Sequence, residues 1–200
     1  MEAFDQLADK YQGEHSHNPF QYAVTEKLLS QLPAGASVLD LGCGTGVPTA
    51  KTLTEAGHRV VGVDISEGML RLAREQVPAA EFVHANVAEL PDDFGTFEAV
   101  TAFFSLLMLS KADIERTLDK VTHWLTPGGH LAIGMVNFDA DSLPIEFLGV
   151  PVTVSGYLEP DLAAVLESHG LKIISIETVT FTPANEPEES QIFALAQLPA

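Results

Sequence analysis

The chain has 200 residues, 46% of them apolar, with 10 Lys or Arg against 28 Asp or Glu and a formal net charge of −18. That length and apolar content suit one soluble domain with a sizeable core, and the acidity excludes the basic stripe that nucleic acid or an anionic lipid surface would need. No apolar stretch approaches a membrane span, no basic region precedes an apolar one at the N-terminus, and Cys43 is the sole cysteine, so a cytoplasmic protein without an internal disulfide is expected.

Strands alternate with helices along the chain. The N-terminal extension carries Phe4, Leu7 and Tyr11 at helical spacing, an apolar stripe suited to docking on the core. Residues 1–35 are expected to act as a helical lid. His15-Ser16-His17 lies in this extension. Residues two apart do not share a helix face, so the pair makes no metal site, and His15 is a candidate contact to the substrate.

Asn18-Pro19 reads as a cap and first helical residue, and the helix ends before Leu32-Pro33-Ala34-Gly35. A strand over 37–41 follows, then a helix from about Val47 to Gly57, then a strand over 59–64. Ser66 caps a helix with Met69, Leu70, Ala73 and Val77 at helical spacing, and Pro78 ends it. Strands follow at 81–84 and 97–103. Ser110-Lys111-Ala112-Asp113 resembles a capping box for a helix running to Leu125, and Thr126-Pro127-Gly128-Gly129 turns the chain into a strand over 130–136. After a looser stretch, Glu159-Pro160-Asp161 opens the last helix. Two strands, 171–181 and 191–197, close the chain as an antiparallel hairpin. This alternation implies an α/β fold, a mostly parallel sheet with helices on both faces.

The chemistry concentrates in Val38-Leu39-Asp40-Leu41-Gly42-Cys43-Gly44-Thr45-Gly46. An apolar run ends in an acid, and alternating glycines then permit a tight strand-to-helix turn whose main chain a ligand can touch. The second run ends in Asp64, twenty residues beyond Gly44, where a carboxylate can accept both hydroxyls of a ribose. Val47 stands where a dinucleotide site wants its last glycine, and Asp40 would repel a pyrophosphate. The same carboxylate suits a ligand carrying an ammonium and a sulfonium, which argues against NAD and for S-adenosylmethionine (SAM).

At this point the segment resembles motif I of the class I SAM-dependent methyltransferases, and Leu125–Gly129 and the closing strand resemble features of the small-molecule members. The resemblance covers almost the whole chain. It implies a Rossmann-like sheet of seven strands in the order 3-2-1-4-5-7-6 with the last antiparallel, and one domain over 1–200. In such a site Asp40 and the Gly42 backbone would hold the SAM ammonium, while Gly44 and Gly46 allow close approach. Asp64 would take the ribose, Ile65 one adenine face, Asn86 the adenine amino group and the Val87 N–H adenine N1. Tyr11 would reach the cofactor carboxylate.

The acceptor is expected to be a small, neutral or cationic molecule. Phe103 follows from its place at the ligand edge of the sheet as a neighbour of the sulfonium, with Phe104 and Met108 beside the acceptor. Residues 137–158 are expected as a long irregular cap contributing Phe138, Phe147 and Tyr157, and Glu146 and Tyr157 are candidate bases. O-, N- and C-methylation stay open, as does the oligomeric state. The rival readings are a non-methylating use of the fold, such as a cyclase in natural-product assembly, and a SAM-binding regulatory module.

Overall fold

The computed structural model describes residues 4–5, 18–182 and 188–200. Tyr11 and His15 lie outside the described residues. Helix α1 (Pro19–Leu29) starts as its sequence dictates: the Asn18 side-chain oxygen accepts from the N–H groups of Phe20 and Gln21, while Pro19 has none to satisfy. Within the expected 1–35 lid, this helix is part of the core, with Val24 and Leu28 fully buried.

Then follow β1 (Ser37–Leu41), α2 (Thr49–Glu55), β2 (Arg59–Asp64), α3 (Glu67–Gln76), β3 (Glu81–His84), β4 (Phe97–Phe103), α4 (Lys111–Trp124) and β5 (Leu125–Val136). The chain continues through β6 (Ala140–Phe147), β7 (Val150–Gly156), α5 (Glu159–Ser168), β8 (Lys172–Phe181) and β9 (Glu189–Gln197). Ser66 and Ser110 cap α3 and α4 by accepting from the N–H groups of Met69 and Asp113. Among the described residues, no helix is long and apolar enough to cross a membrane.

Seven strands make one sheet in the order β3-β2-β1-β4-β5-β9-β8. The first five are parallel, and β9 runs antiparallel between β5 and β8. With β6 and β7 set aside as a separate pair, this is the expected 3-2-1-4-5-7-6 order. The strands sort their side chains by parity. Val38, Ala99, Ala132, Phe193 and Leu195 face α1 and α2, while Leu39, Val100, Leu131, Ile133 and Ala194 face α4 and α5. Thr126–Gly129 lies inside β5 as a bulge: Leu125 pairs with Phe97, and pairing resumes only at His130 with Ala99.

The stretch 137–158 is not the long irregular cap expected from the sequence. It is an antiparallel ribbon, with Leu143 opposite Val154, Ile145 opposite Val152 and Phe147 opposite Val150. Its tip is a two-residue turn in which Leu148 and Gly149 both take positive φ, 51° and 85°, as a type I′ hairpin requires. Both strands of a two-stranded ribbon are edges, so Pro144 and Pro151 interrupt no ladder that matters.

Phe193 knots the sheet to the ligand edge. It is buried, and its ring lies 6.4, 6.3 and 5.6 Å from the ring centroids of Phe20, Phe103 and Phe104. Phe193→Ala should lower the unfolding free energy by about 3–5 kcal/mol, read from urea denaturation, with an unchanged urea dependence showing that the loss is packing and not a different unfolded state.

Candidate active site

The glycine turn is shaped by what lies behind it. Gly42, Gly44 and Gly46 have φ of 67°, 54° and 76°, conformations that cost other residues strain. A Cβ on Gly42 would sit 2.2 Å from that of Ser105, whose hydroxyl donates to the Leu41 carbonyl at 2.6 Å. Nothing stands within 4 Å of the Cβ position of Gly44, which borders open space. Gly46 does not face that space. It sits against Val77, Phe82 and Ala73, so its expected role in cofactor approach gives way to close packing of the turn on α3 and β3.

Asp64 is a brace as well as a rim residue. One carboxylate oxygen accepts from the Gly44 N–H at 2.8 Å and the other from the Ser66 N–H at 2.9 Å, tying the tip of β2 to the glycine turn and to the start of α3. Burial raises its pKa, against the pull of those N–H groups. Asp40 lies deeper. One oxygen accepts from the Thr101 hydroxyl at 2.7 Å, while Oδ2 is buried without a hydrogen-bond partner. Burial pushes its pKa up to about 7, with Thr101 opposing and the charge of Asp64 adding to the rise.

Two larger cavities meet above the turn. The first, about 340 Å³, is lined by Gly42, Gly44, Asp64, Ile65, Asn86, Val87 and Phe103 among others. A small recess of about 30 Å³ beside it is bordered by Asp40, Gly42 and Gly44. The second cavity, about 310 Å³, is lined largely by apolar side chains, including Phe104, Met108, Phe138, Leu143, Ile145 and Phe147. Phe4, Phe104 and Met108 belong to both walls. Asp5 anchors Phe4 there, because its carboxylate accepts from the Ser66 hydroxyl and the Gly68 N–H at the start of α3, contacts that hold its pKa down.

Comparison with known proteins now adds its weight. Residues 38–129 match a methyltransferase domain family. A demethylmenaquinone methyltransferase of Clavibacter sepedonicus is 34% identical over 139 residues, 68% of this chain and 54% of that protein. The 27-O-demethylrifamycin SV methyltransferase of Amycolatopsis mediterranei is 28% identical over 90% of this chain and 74% of its own. The 1,6-didemethyltoxoflavin-N1-methyltransferase of Burkholderia thailandensis, solved with 1,6-didemethyltoxoflavin and S-adenosylhomocysteine, superimposes with a TM-score of 0.75 at 21% identity, covering 100% of this chain and 85% of that one. Residues 38–129 thus carry a methyltransferase domain, on the fold of the SAM-dependent methyltransferases. The chain spans 50–58% of the length of the first four curated relatives it matches.

Several residues of this domain sit differently from their sequence-based expectation. Tyr157 lines neither cavity: it is buried beneath the ribbon, its hydroxyl 3.5 Å from Glu115 and its ring 4.5 Å from the Lys111 ammonium. Burial and the Glu115 charge push its phenol up to about 12, so it is no base at neutral pH. The ribbon's parity explains Glu146, which alternates with cavity-facing Ile145 and Phe147 and is exposed. Asn86 borders the cofactor-sized cavity, but its oxygen already accepts from the Ala88 N–H and its amide donates to Glu89. Cys43 is inert, its thiol pushed up by burial and packed where a Cβ on Gly62 would be 2.8 Å away.

Other contributors carried no signal in residue spacing. His84 donates through Nε2 to the Ile65 carbonyl at 2.9 Å, and Lys120 donates to the carbonyls of Ala88 and Leu90 at 2.9 and 2.8 Å. These three bonds fix the loops on either side of the first cavity. The second cavity has a polar corner of Asn18, Gln21, Glu189 and Gln191.

Because the folded pKa of Asp40 lies near 7 and the ordinary value is 3.8, the folded state holds this proton more tightly. Stability present below about pH 4 is therefore lost as pH rises through about 7. Asp40→Asn removes that loss. Relative to wild type, its unfolding free energy should rise between pH 5 and pH 8 by on the order of 1–3 kcal/mol, measured by chemical denaturation at both pH values.

Proposed function

We propose that the protein transfers a methyl group from SAM to a small, largely apolar acceptor. The observation that carries this reading is a pair of adjoining cavities sharing Phe4, Phe104 and Met108, one framed by the glycine turn and Asp64, the other apolar. The residues fit the cofactor: the unmatched Asp40 Oδ2 is a buried carboxylate oxygen awaiting a cation, as an ammonium group would be, and the carboxylate also excludes a pyrophosphate. When bound, SAM supplies an activated methyl on a sulfonium.

Asp40 and Gly42 would hold the ammonium end, Asp64 the ribose, and Ile65 and Val87 the adenine. Phe103, Phe104 and Met108 would exclude water where the two cavities meet, stripping solvent from the acceptor's nucleophile and holding it in line. The relatives named for demethylmenaquinone and 27-O-demethylrifamycin SV support an acceptor of the small-molecule class.

Calorimetry should show SAM and S-adenosylhomocysteine binding and no binding of NAD. Asp64→Ala should cost on the order of 1–3 kcal/mol of SAM affinity through lost charge-assisted hydrogen bonds; an unchanged affinity would overturn the ribose placement. Release of S-adenosylhomocysteine in the presence of apolar acceptors tests the transfer itself, and binding without any turnover would favour the regulatory reading. Phe147→Ala should raise the acceptor KM with little change in SAM affinity, because Phe147 lines the second cavity and not the first.

A further inference from the structure

Among the described residues, four side chains line the second cavity together with one of the two spaces beside the glycine turn. Phe4, Phe104 and Met108 are shared with the first cavity, and Gln21 is shared with the recess of Asp40. The first three carry no N–H or O–H and no strong acceptor, so an acceptor whose reacting atom reaches this junction meets a single amide. Gln21 stands in the first turn of α1, where its N–H is capped by Asn18, and it is 8% exposed. Its amide nitrogen donates to the hydroxyl of Thr49, the first residue of α2, at 2.9 Å. Its amide oxygen has no hydrogen-bond partner among the described residues. With the nitrogen held against α2, the oxygen is the end of the amide left for whatever fills the cavity. A ligand that closes over this oxygen without bringing it a donor leaves a polar atom dry and unpaired, which costs binding free energy.

We propose that Gln21 orients the reacting group of the acceptor by accepting a hydrogen bond from it, and that this group is an N–H or O–H and not a carbon. This rests on the methyl-transfer reading and on the second cavity being the acceptor site. A hydrogen seated on Gln21 Oε1 leaves the lone pair of the same nitrogen or oxygen free to point across the junction toward the first cavity. The new N–C or O–C bond forms as the C–S bond breaks, sulfur keeps the bonding pair as a neutral thioether, and the proton passes to water, because a neutral amide is too weak a base to keep it. An amide does this without adding a negative charge beside Asp40, whose carboxyl a further acid would push still higher. A carbon nucleophile offers Oε1 nothing, and the site discriminates against it by leaving that oxygen unpaired.

The test uses 2-naphthol and its methyl ether, which share one ring system and differ in the hydrogen that Gln21 would receive. Their binding to the full chain is followed by naphthyl fluorescence with S-adenosylhomocysteine present and absent. Wild type should bind 2-naphthol about fivefold to tenfold more tightly than the ether, the ratio that one net hydrogen bond supplies. In Gln21→Leu, which keeps the bulk and removes both polar atoms of the amide, the ratio should fall to about one. Because Leu preserves the steric difference between the two probes, that change reports the hydrogen bond. Ile145→Ala, in the apolar wall of the second cavity alone, should weaken both probes together and leave the ratio as it is. Comparable affinities in wild type, a preference for the ether, a ratio unmoved by Gln21→Leu, affinities unmoved by Ile145→Ala, or no binding of either probe overturns the proposal; the wild-type ratio decides even if Gln21→Leu misfolds. Failure of S-adenosylhomocysteine to bind, with the naphthol preference intact, would overturn the methyl-transfer reading instead.

Discussion

A carboxylate held out of water without an opposite charge dominates the architecture around the ligand edge. Asp40 stands near the end of the central strand β1, with Thr101 on β4 satisfying one oxygen and, among the described residues, nothing satisfying the other. Everything nearby concedes space or donors to this arrangement. The glycine turn that follows cannot carry a side chain at Gly42 because Ser105 fills that place, and its amides are turned toward β2: the Gly42 and Cys43 N–H groups donate to the Val63 carbonyl and Gly44 to Asp64. The two acids divide the labour. Asp64 braces the backbone with both oxygens while still lining the first cavity, whereas Asp40 keeps an oxygen with no hydrogen-bond partner among the described residues, at a cost to folding, a pattern common where function opposes stability.

The ribbon's polar fastenings lie at its base, while Val152 and Val154 pack its inner face on the core. Lys111, at the start of α4, gives its N–H to Asp141 and its ammonium to Asp139, and its ammonium lies over the Tyr157 ring. The Ser155 hydroxyl, buried between the strands, donates to Asp141 and accepts from the Ser142 N–H. Tyr157 is thus part of the mounting and not of the roof. At the far end, Phe147 approaches Phe4 with ring centroids 6.5 Å apart, so the ribbon tip and the N-terminal segment close over the junction of the two cavities from opposite sides.

Local signals in the sequence were legible where chemistry is local. The caps at Asn18, Ser66 and Ser110, the glycine turn and the acid ending β2 each depend on a few neighbouring residues, and all fall where their spacing puts them. The strand order came from family resemblance alone, since no local pattern encodes which strands pair. The ribbon escaped notice because Pro144 and Pro151 mask the alternation of Leu143, Ile145 and Phe147, and only the absence of a third strand makes those prolines harmless. Its facing was equally hidden: the one-residue difference between Ile145 and Glu146 decides which enters the cavity, and that parity is set by pairing across the turn. Glu189 and Gln191 border a site built from α1, β4, β5 and the ribbon, so no spacing within β9 could have marked them.

The ribbon's pairing has one more consequence. Because β6 and β7 form their own two-stranded sheet and pair with no strand of the main sheet, exchanging the alternate residues Leu143, Ile145 and Phe147 redraws one wall of the second cavity without touching the strands that hold the glycine turn. The shape of the second cavity and the footing of the glycine turn are thereby set by separate sheets. Three side chains on one face of a ribbon can therefore change while the strands that carry Asp40 and Asp64 stay as they are.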